Sequence, residues 1–285
     1  MKAAETALVL EGGATRGIFT AGVLDYMMEQ ELEFPYVVGV SAGACNAVDY
    51  VSGQIGRTRM CMVQQKEKSA RKNFERVVKK RCLYDMDRIF DRFPNELIPF
   101  DYDAYFASPI RCEMVVTNCI TGRAEYLEER SERERLMKIC RASSSLPLLS
   151  SMTYVDSVPY LDGGLSDSIP IRRALKSGCR RAVVILTRNP GYRKRPSMLQ
   201  YDLCSRFYGE YPQLLEAVRR RPAHYNRTLD LIEKLEEEGR IFVLRPIIPP
   251  VKKTEGHGEK LLEFYEHGYE LMKKEWQNLT DFLVQ

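Results

Sequence analysis

The residues able to do chemistry cluster in three glycine-bearing segments: Glu11-Gly12-Gly13-Ala14-Thr15-Arg16-Gly17, Gly39-Val40-Ser41-Ala42-Gly43 and Leu161-Asp162-Gly163-Gly164-Leu165. The second fits G-x-S-x-G. A nucleophilic serine on a sharp strand-to-helix turn is forced into a strained backbone, and glycines two residues before and after it, here Gly39 and Gly43, avoid the clash. Apolar Tyr36-Val37-Val38 before it and small residues after it suit that strand and that helix start. The positive end of the helix dipole would favour negative charge developing there. The plainer role for Ser41 is a helix cap. The first segment admits three roles. It could cradle a phosphate at a helix N-terminus. It could be a dinucleotide fingerprint, although Ala14 stands at the second glycine of G-x-G-x-x-G and no Walker lysine pair follows. It could also offer backbone N–H groups to an oxyanion, each worth about 3–4 kcal/mol of transition-state stabilisation.

A serine nucleophile needs a proton acceptor. The histidines are His224, His257 and His267, all late in the chain. His257 in Gly256-His257-Gly258 suits a loop, and a Ser–Asp–His triad of the α/β-hydrolase type would use it. Against that, the elbow already comes at residue 41, before the several strands such a fold sets ahead of it. Asp162 is the other acceptor, although an aspartate before two glycines is also an ordinary turn.

These segments need elements to hold them. Ala7–Leu10 predicts a buried strand running into the glycine turn, Ile18–Gln30 a helix, Tyr36–Val40 a second strand and Ala42–Val51 a second helix. Strand–turn–helix repeated twice predicts a parallel sheet covered by helices. Thr58–Lys80 and Asp85–Phe93 read as helices, and Pro94–Pro109 as loop. Cys112–Asn118 and Ala124–Leu127 read as strands about a turn at Thr121-Gly122. Glu132–Ala142 and Ile171–Lys176 read as helices, Thr153–Val155 and Tyr160–Leu161 as extended pieces, Ala182–Thr187 and Arg240–Leu244 as strands. Tyr211–Glu238 predicts a helix broken at Pro222. Leu261–Leu283 predicts an amphipathic helix whose stripe (Leu262, Tyr265, Tyr269, Met272, Trp276, Leu279, Leu283) suits core packing. Pro246–Gly258 reads as a linker. The expected organisation is a hydrolase domain over 1–250 with its motifs in 5–190, and a tail, 251–285, packing back on it.

Taken in order, EGGATRG, GVSAG and DGG make the chain resemble the patatin-like phospholipases. Val116–Gly122 (VTNCITG), Ala142–Pro147 (ASSSLP) and Leu161–Pro170 (LDGGLSDSIP) match in type, so the resemblance covers roughly residues 5–190. It implies an α/β fold, a three-layer α/β/α sandwich with a mostly parallel central sheet and a nucleophile elbow. It implies Ser41 as acyl-enzyme nucleophile and Asp162 as base without histidine. It implies an oxyanion hole at Gly12, Gly13 and Ala14 with Arg16 beside it, and Gly17, Gly39, Gly43, Gly163 and Gly164 as motif support. It implies no metal and no cofactor, and a lipid or ester substrate. The departures are Glu11 where aspartate is common and Ala14 where a third glycine is common. Ala14 can still donate its N–H, at a conformational cost if its φ is positive.

The net charge of +4, from 43 Lys and Arg against 39 Asp and Glu, is too small to argue for nucleic-acid binding. The basic residues are unevenly spread. Arg57–Arg81 is rich in them, with smaller clusters at Arg193-Lys194-Arg195 and Arg219-Arg220-Arg221. Arg57–Arg81 is either a solvated helix face or, with the Tyr102–Phe106 segment, an entrance for an anionic amphiphile at a membrane surface. The eight cysteines form no CxxC pair and no zinc spacing, so reduced thiols in a cytoplasmic protein are expected. No signal-peptide pattern and no apolar run near 20 residues is present, so membrane contact is expected to be peripheral.

Overall fold

The computed structural model describes Met1, Ala3 and residues 5–67 and 85–284. Its strands are β1 (Thr6–Leu10), β2 (Tyr36–Val40), β3 (Arg111–Asn118), β4 (Ala124–Leu127), β5 (Thr153–Val155), β6 (Val158–Asp162), β7 (Arg181–Ile185) and β8 (Ile241–Leu244). Its α-helices are α1 (Gly17–Glu29), α2 (Ala42–Val51), α3 (Arg57–Glu67), α4 (Tyr102–Ala107), α5 (Arg133–Ser143), α6 (Ile171–Lys176), α7 (Met198–Phe207), α8 (Pro212–Glu237) and α9 (Gly258–Val284). Arg88–Leu97 is a π-helical stretch. Among the described residues the strands form one sheet in the order β5-β6-β3-β2-β1-β7-β8, with β4 also on β3. The β3–β2–β1–β7–β8 pairings are parallel. Those of β4 and β6 with β3, and of β5 with β6, are antiparallel.

The central strands β1, β2 and β7 are mostly apolar because both faces are covered. Leu8, Leu10, Val37, Val183 and Ile185 join one core with α1, α2, α5 and α9. Ala7, Val9, Val38, Val40, Ala182 and Val184 join the opposite core with α6 and α8. The period-two alternation thus divides one sheet between two helical layers, giving the three-layer sandwich.

α1 carries the glycine loop into the core, and α9 fixes α1 through reciprocal glycines. A Cβ on Gly22 would lie 2.1 Å from the Tyr265 carbonyl oxygen, and one on Gly268 would lie 2.2 Å from the Phe19 carbonyl oxygen. The backbones therefore touch without side chains between them. The Tyr265 hydroxyl donates to Asp25 at 2.7 Å beside this contact. Most of the predicted stripe of α9 packs inward, Tyr265, Met272 and Leu279 being buried, whereas Leu262 is exposed and Leu261 takes its core position. No described helix is long and apolar enough to cross a membrane.

Three readings of the sequence change. Pro94–Pro109 is not mainly loop: the π-helical stretch runs to Leu97, and Asp101 caps α4 by accepting the Ala104 N–H at 2.9 Å. Tyr102 and Tyr105 are buried against Phe100 and so do not form an entrance. The helix over Tyr211–Glu238 is not broken, because α8 runs through Pro222. The basic reading of Arg57–Arg81 lies largely outside the described residues. At its start Arg57 is spent on a buried ion pair with Asp49 at 2.8 Å.

Gly22→Ala and Gly268→Ala should each destabilise the protein by about 1–3 kcal/mol through forced separation of α1 and α9. Urea midpoints would show it, with Gly256→Ala, where no atom lies within 4 Å of an added Cβ, unchanged.

Candidate active site

β3 positions the site. β4 pairs with Met114–Thr117, β2 with Arg111–Val115 and β6 with Val116–Asn118. Because β4 overlaps both of the others along β3, β2 and β6 must share the opposite edge, end to end. β2 runs parallel to β3 and β6 antiparallel, so their C-terminal ends meet. Val40 stands opposite Val115, and Asp162 opposite Val116. Ser41 follows Val40 directly, so the topology brings the hydroxyl and the carboxyl to one point.

The junction is tightly held. The Ser143 hydroxyl donates to the Val115 carbonyl at 2.6 Å and accepts the Ser41 N–H at 2.8 Å. The Asp162 N–H donates to the Ser145 carbonyl at 2.8 Å, and the Thr117 hydroxyl donates to the Asp162 carbonyl at 2.8 Å. A Cβ on Gly163 would lie 2.1 Å from the Val115 carbonyl oxygen, which explains glycine directly after the aspartate. Ser41 itself adopts φ 57° and ψ −122°. A non-glycine residue in so sparsely populated a region costs on the order of 1–3 kcal/mol. Close approach accounts for the flanking glycines: a Cβ on Gly39 would meet the Gly43 carbonyl oxygen at 2.3 Å, and one on Gly43 the Leu10 carbonyl oxygen at 2.5 Å.

The glycine loop lies against this elbow. A Cβ on Gly12 would stand 3.2 Å from Ser41 Cβ, and one on Gly17 would stand 2.6 Å from Ala42 Cβ. Ala14 has φ 50°, the strained conformation a third glycine would have relieved. Among the described residues none accepts the N–H of Gly13 or Ala14, while that of Gly12 reaches only the Ser168 carbonyl at 3.4 Å. Glu11 accepts the Thr187 N–H at 2.6 Å and the Tyr225 hydroxyl at 2.7 Å. A glutamate therefore ties the end of β1 both to the end of β7 and to α8.

Two cavities share Ser41, Ala14 and Leu146. One, of about 720 Å³, is the more polar of the two and contains Gly12, Gly13, Arg16, Asp162 and Gly164. The other, of about 140 Å³, is lined by apolar side chains including Val48, Met62, Phe90, Phe93 and Met137. Its volume is close to that of an engineered cavity that binds benzene. Ser41 thus sits where a polar and an apolar compartment join.

Asp162 is 3 % exposed. Its Oδ1 accepts the Gly164 N–H at 2.7 Å, and Oδ2 is buried without a hydrogen bond. Burial raises its pKa, opposed by Arg221, then by the Ser41 hydroxyl and the Gly164 N–H. The hydroxyl therefore stands close enough to favour the carboxylate, although no hydrogen bond has closed between them. Arg16 is also buried and lines the polar cavity, with Nε unpartnered. His257 lies elsewhere. Its ring bonds Glu255 at 2.8 Å, its side chain is 78 % exposed, and it lines neither cavity. The sequence reading missed Ser143, whose only trace is the ASSSLP segment, and the cationic lining of the polar cavity, visible only as two short basic clusters.

The chain matches the patatin-like phospholipase family over residues 8–175 and a domain of unknown function (DUF6363) over residues 211–284. The first match spans more than half of the chain, which belongs to the patatin-like phospholipase family. It is 30 % identical over 257 residues to the uncharacterized protein YjjU of Escherichia coli (strain K12), covering 85 % of this chain and 69 % of that one. The crystal structure of VipD from Legionella pneumophila is similar with a TM-score of 0.49 at 14 % identity, covering 94 % of this chain. This chain covers 66 % of the VipD chain, just short of two thirds of its length.

Burial of Asp162 has a sign. Its folded pKa lies above the unfolded value near 3.8, so the native state holds the proton longer and stability falls as pH rises through the folded pKa. Asp162→Asn should therefore raise Tm at neutral pH, by about 2–4 °C for each kcal/mol relieved in a chain of this size. The gain should vanish below about pH 4, where both states of the wild type are protonated. Thermal melts from about pH 3 to 8 check this.

Proposed function

We propose that this protein is a serine acyl hydrolase of lipid esters, a phospholipase A, lysophospholipase or carboxylesterase, working through a Ser41–Asp162 dyad. The observation that carries the reading is the convergence of Ser41 and Asp162 at the junction of a polar and an apolar cavity. The first carbons of the acyl chain enter the apolar cavity and the alcohol part of the ester lies in the polar one. Ser41 attacks the ester carbonyl while Asp162 takes the hydroxyl proton. The raised pKa makes Asp162 a stronger base than a solvated carboxylate. The negative charge on the former carbonyl oxygen is held by the N–H groups of Gly13 and Ala14, which have no competing acceptor, with Gly12 and Arg16 beside them. As the carbonyl re-forms, the C–O bond breaks and the proton passes from Asp162 to the departing alcohol. Water, deprotonated by Asp162, then releases the fatty acid and restores Ser41.

The chain acts as one unit in this reading, a hydrolase body over 1–250 with the 251–285 tail docked on it. Peripheral contact with an anionic membrane suits it. Leu199, Leu203 and Phe207, one turn apart along α7, are exposed, and Met198, 71 % exposed, lies at the polar cavity. An apolar helix face beside basic residues is the kind of surface that lies in a lipid interface.

A fluorophosphonate probe tests the dyad. Wild type and His257→Ala should label at equal rates. Ser41→Ala should not label, and Asp162→Asn should label at least 100-fold more slowly, in line with the loss of a general base. Folded wild type that never labels, or labelling abolished by His257→Ala, would contradict the reading.

A further inference from the structure

The polar cavity is far more cationic than ester hydrolysis requires. Eight arginine and lysine residues line it, against Glu11 and Asp162. Two of the eight are neutralised at the rim: Arg193 pairs with Glu233 at 2.7 Å, and Arg219 with Glu216 at 2.6 Å. Arg16, Arg188, Lys194 and Arg221 form no ion pair among the described residues, and the buried Nε atoms of Arg16 and Arg221 have no hydrogen-bond acceptor. The two carboxylates are too few to offset the rest, and both also serve other groups. Glu11 is bonded to Thr187 and Tyr225, and Asp162 stands beside Ser41.

The charges also press on one another. Burial, then Arg221, brings the Lys194 ammonium down to about 6. Burial, then Arg221 and Arg16, brings that of Lys253 down to about 8. Burial, then Arg188, lowers Arg16. Glu11 and Asp162 offset this field only in part, and a field of this sign is relieved by a bound anion.

The aromatic lining narrows the choice. A quaternary ammonium headgroup is held by open aromatic faces. Here the Tyr192 ring is covered by Arg188, 4.2 Å from its centroid, and the Tyr225 ring by Lys194 at 4.1 Å. A zwitterionic headgroup would bring its cation to a site where two of the three lining tyrosine rings are already covered by the protein's own cations, leaving Tyr201.

We propose that Arg16, Arg188, Lys194 and Arg221 form a site for a phosphate monoester dianion beside Ser41, so that the favoured substrate is an acyl ester bearing a phosphate and no ammonium. Only the second half rests on the hydrolase reading. Arg16 alone of these four lies within the residues matched to the patatin-like family; Arg221, and Lys253 beside the site, belong to the C-terminal match of unknown function. That region thereby gains a role: it completes the polar cavity from α8 and from the loop ahead of α9. Arginine is suited to it, since its planar fork meets two phosphate oxygens at once.

Two arms test this and separate a headgroup from free phosphate. In the first, kcat/KM is measured for 1-acylglycerol 3-phosphate, the 1-acylglycerol and the lysophosphatidylcholine of one chain length. The phosphate monoester should exceed each of the others at least tenfold, and Arg188→Gln and Lys194→Met should shrink that ratio tenfold or more. In the second, inorganic phosphate and glycerol 3-phosphate are titrated calorimetrically into Ser41→Ala protein, with and without Lys194→Met, in buffers of different ionisation enthalpy. Binding with proton uptake, lost in the Lys194 variant, supports the site even where no ester is hydrolysed. Binding of inorganic phosphate with a substrate ratio near one keeps the site but assigns it to free phosphate. No binding of either anion together with a ratio near one overturns the proposal.

Discussion

Two strands that end in the same slot set the geometry of this molecule. β3 is eight residues long, and no single neighbour fills its edge facing β2. β2 covers the lower part, β6 arrives from the opposite direction to cover the rest, and the chain must turn away at both ends. One turn carries Ser41 into α2, and the other carries Asp162 into the Gly163–Leu165 turn. Neither residue can shift along β3 without breaking a ladder of main-chain hydrogen bonds. The hydroxyl of Ser143 bridges the gap between them, accepting the Ser41 N–H and donating to the Val115 carbonyl. The strain at Ser41 and the buried, half-satisfied carboxyl at Asp162 are therefore held by the sheet rather than by the loops, and both act against stability at the point where the two side chains meet.

Much of this was legible in the sequence. The strand-like run before Ser41 and the small residues after it mark the elbow, because only such a pattern permits so tight a turn. The glycine loop was readable for the same reason, and even its departure had a physical meaning: the positive φ at Ala14 is the strain expected where a glycine is missing. The order of EGGATRG, GVSAG and DGG identified the fold because each marks the end of a different strand. What was hidden depends on pairing across long separations. Asp162 reads locally as a turn, and only antiparallel pairing with β3, opposite the end of β2, brings it to Ser41. His257, the alternative that its glycine-flanked setting offered, is turned toward Glu255 at the surface.

The C-terminal region was less legible for a different reason. Arg219-Arg220-Arg221 and Arg193-Lys194-Arg195 look like solvated clusters, and in part they are. Arg219 and Arg220 close on Glu216, and Arg193 on Asp230 and Glu233. Arg221 and Lys194 differ from their neighbours only by position along the chain, yet that step turns them inward, beside Tyr225 and Asp162. α8 keeps this register because it continues through Pro222. In the same way Glu11, one methylene longer than the commoner aspartate, reaches Tyr225 and fastens α8 to the end of β1. Motif residues and tail residues thus build one cavity, and α9 secures the arrangement from the other face through its glycine contact with α1.

The most direct test of the central claim is the mass of the enzyme caught during turnover. Protein mixed with a short-chain acyl ester, quenched in acid within milliseconds and digested, should yield the peptide containing Ser41 heavier by one acyl group, with the adduct absent from Ser41→Ala. Turnover without any adduct under single-turnover conditions, or an adduct on another residue, would contradict the account of Ser41 as the nucleophile set against Asp162.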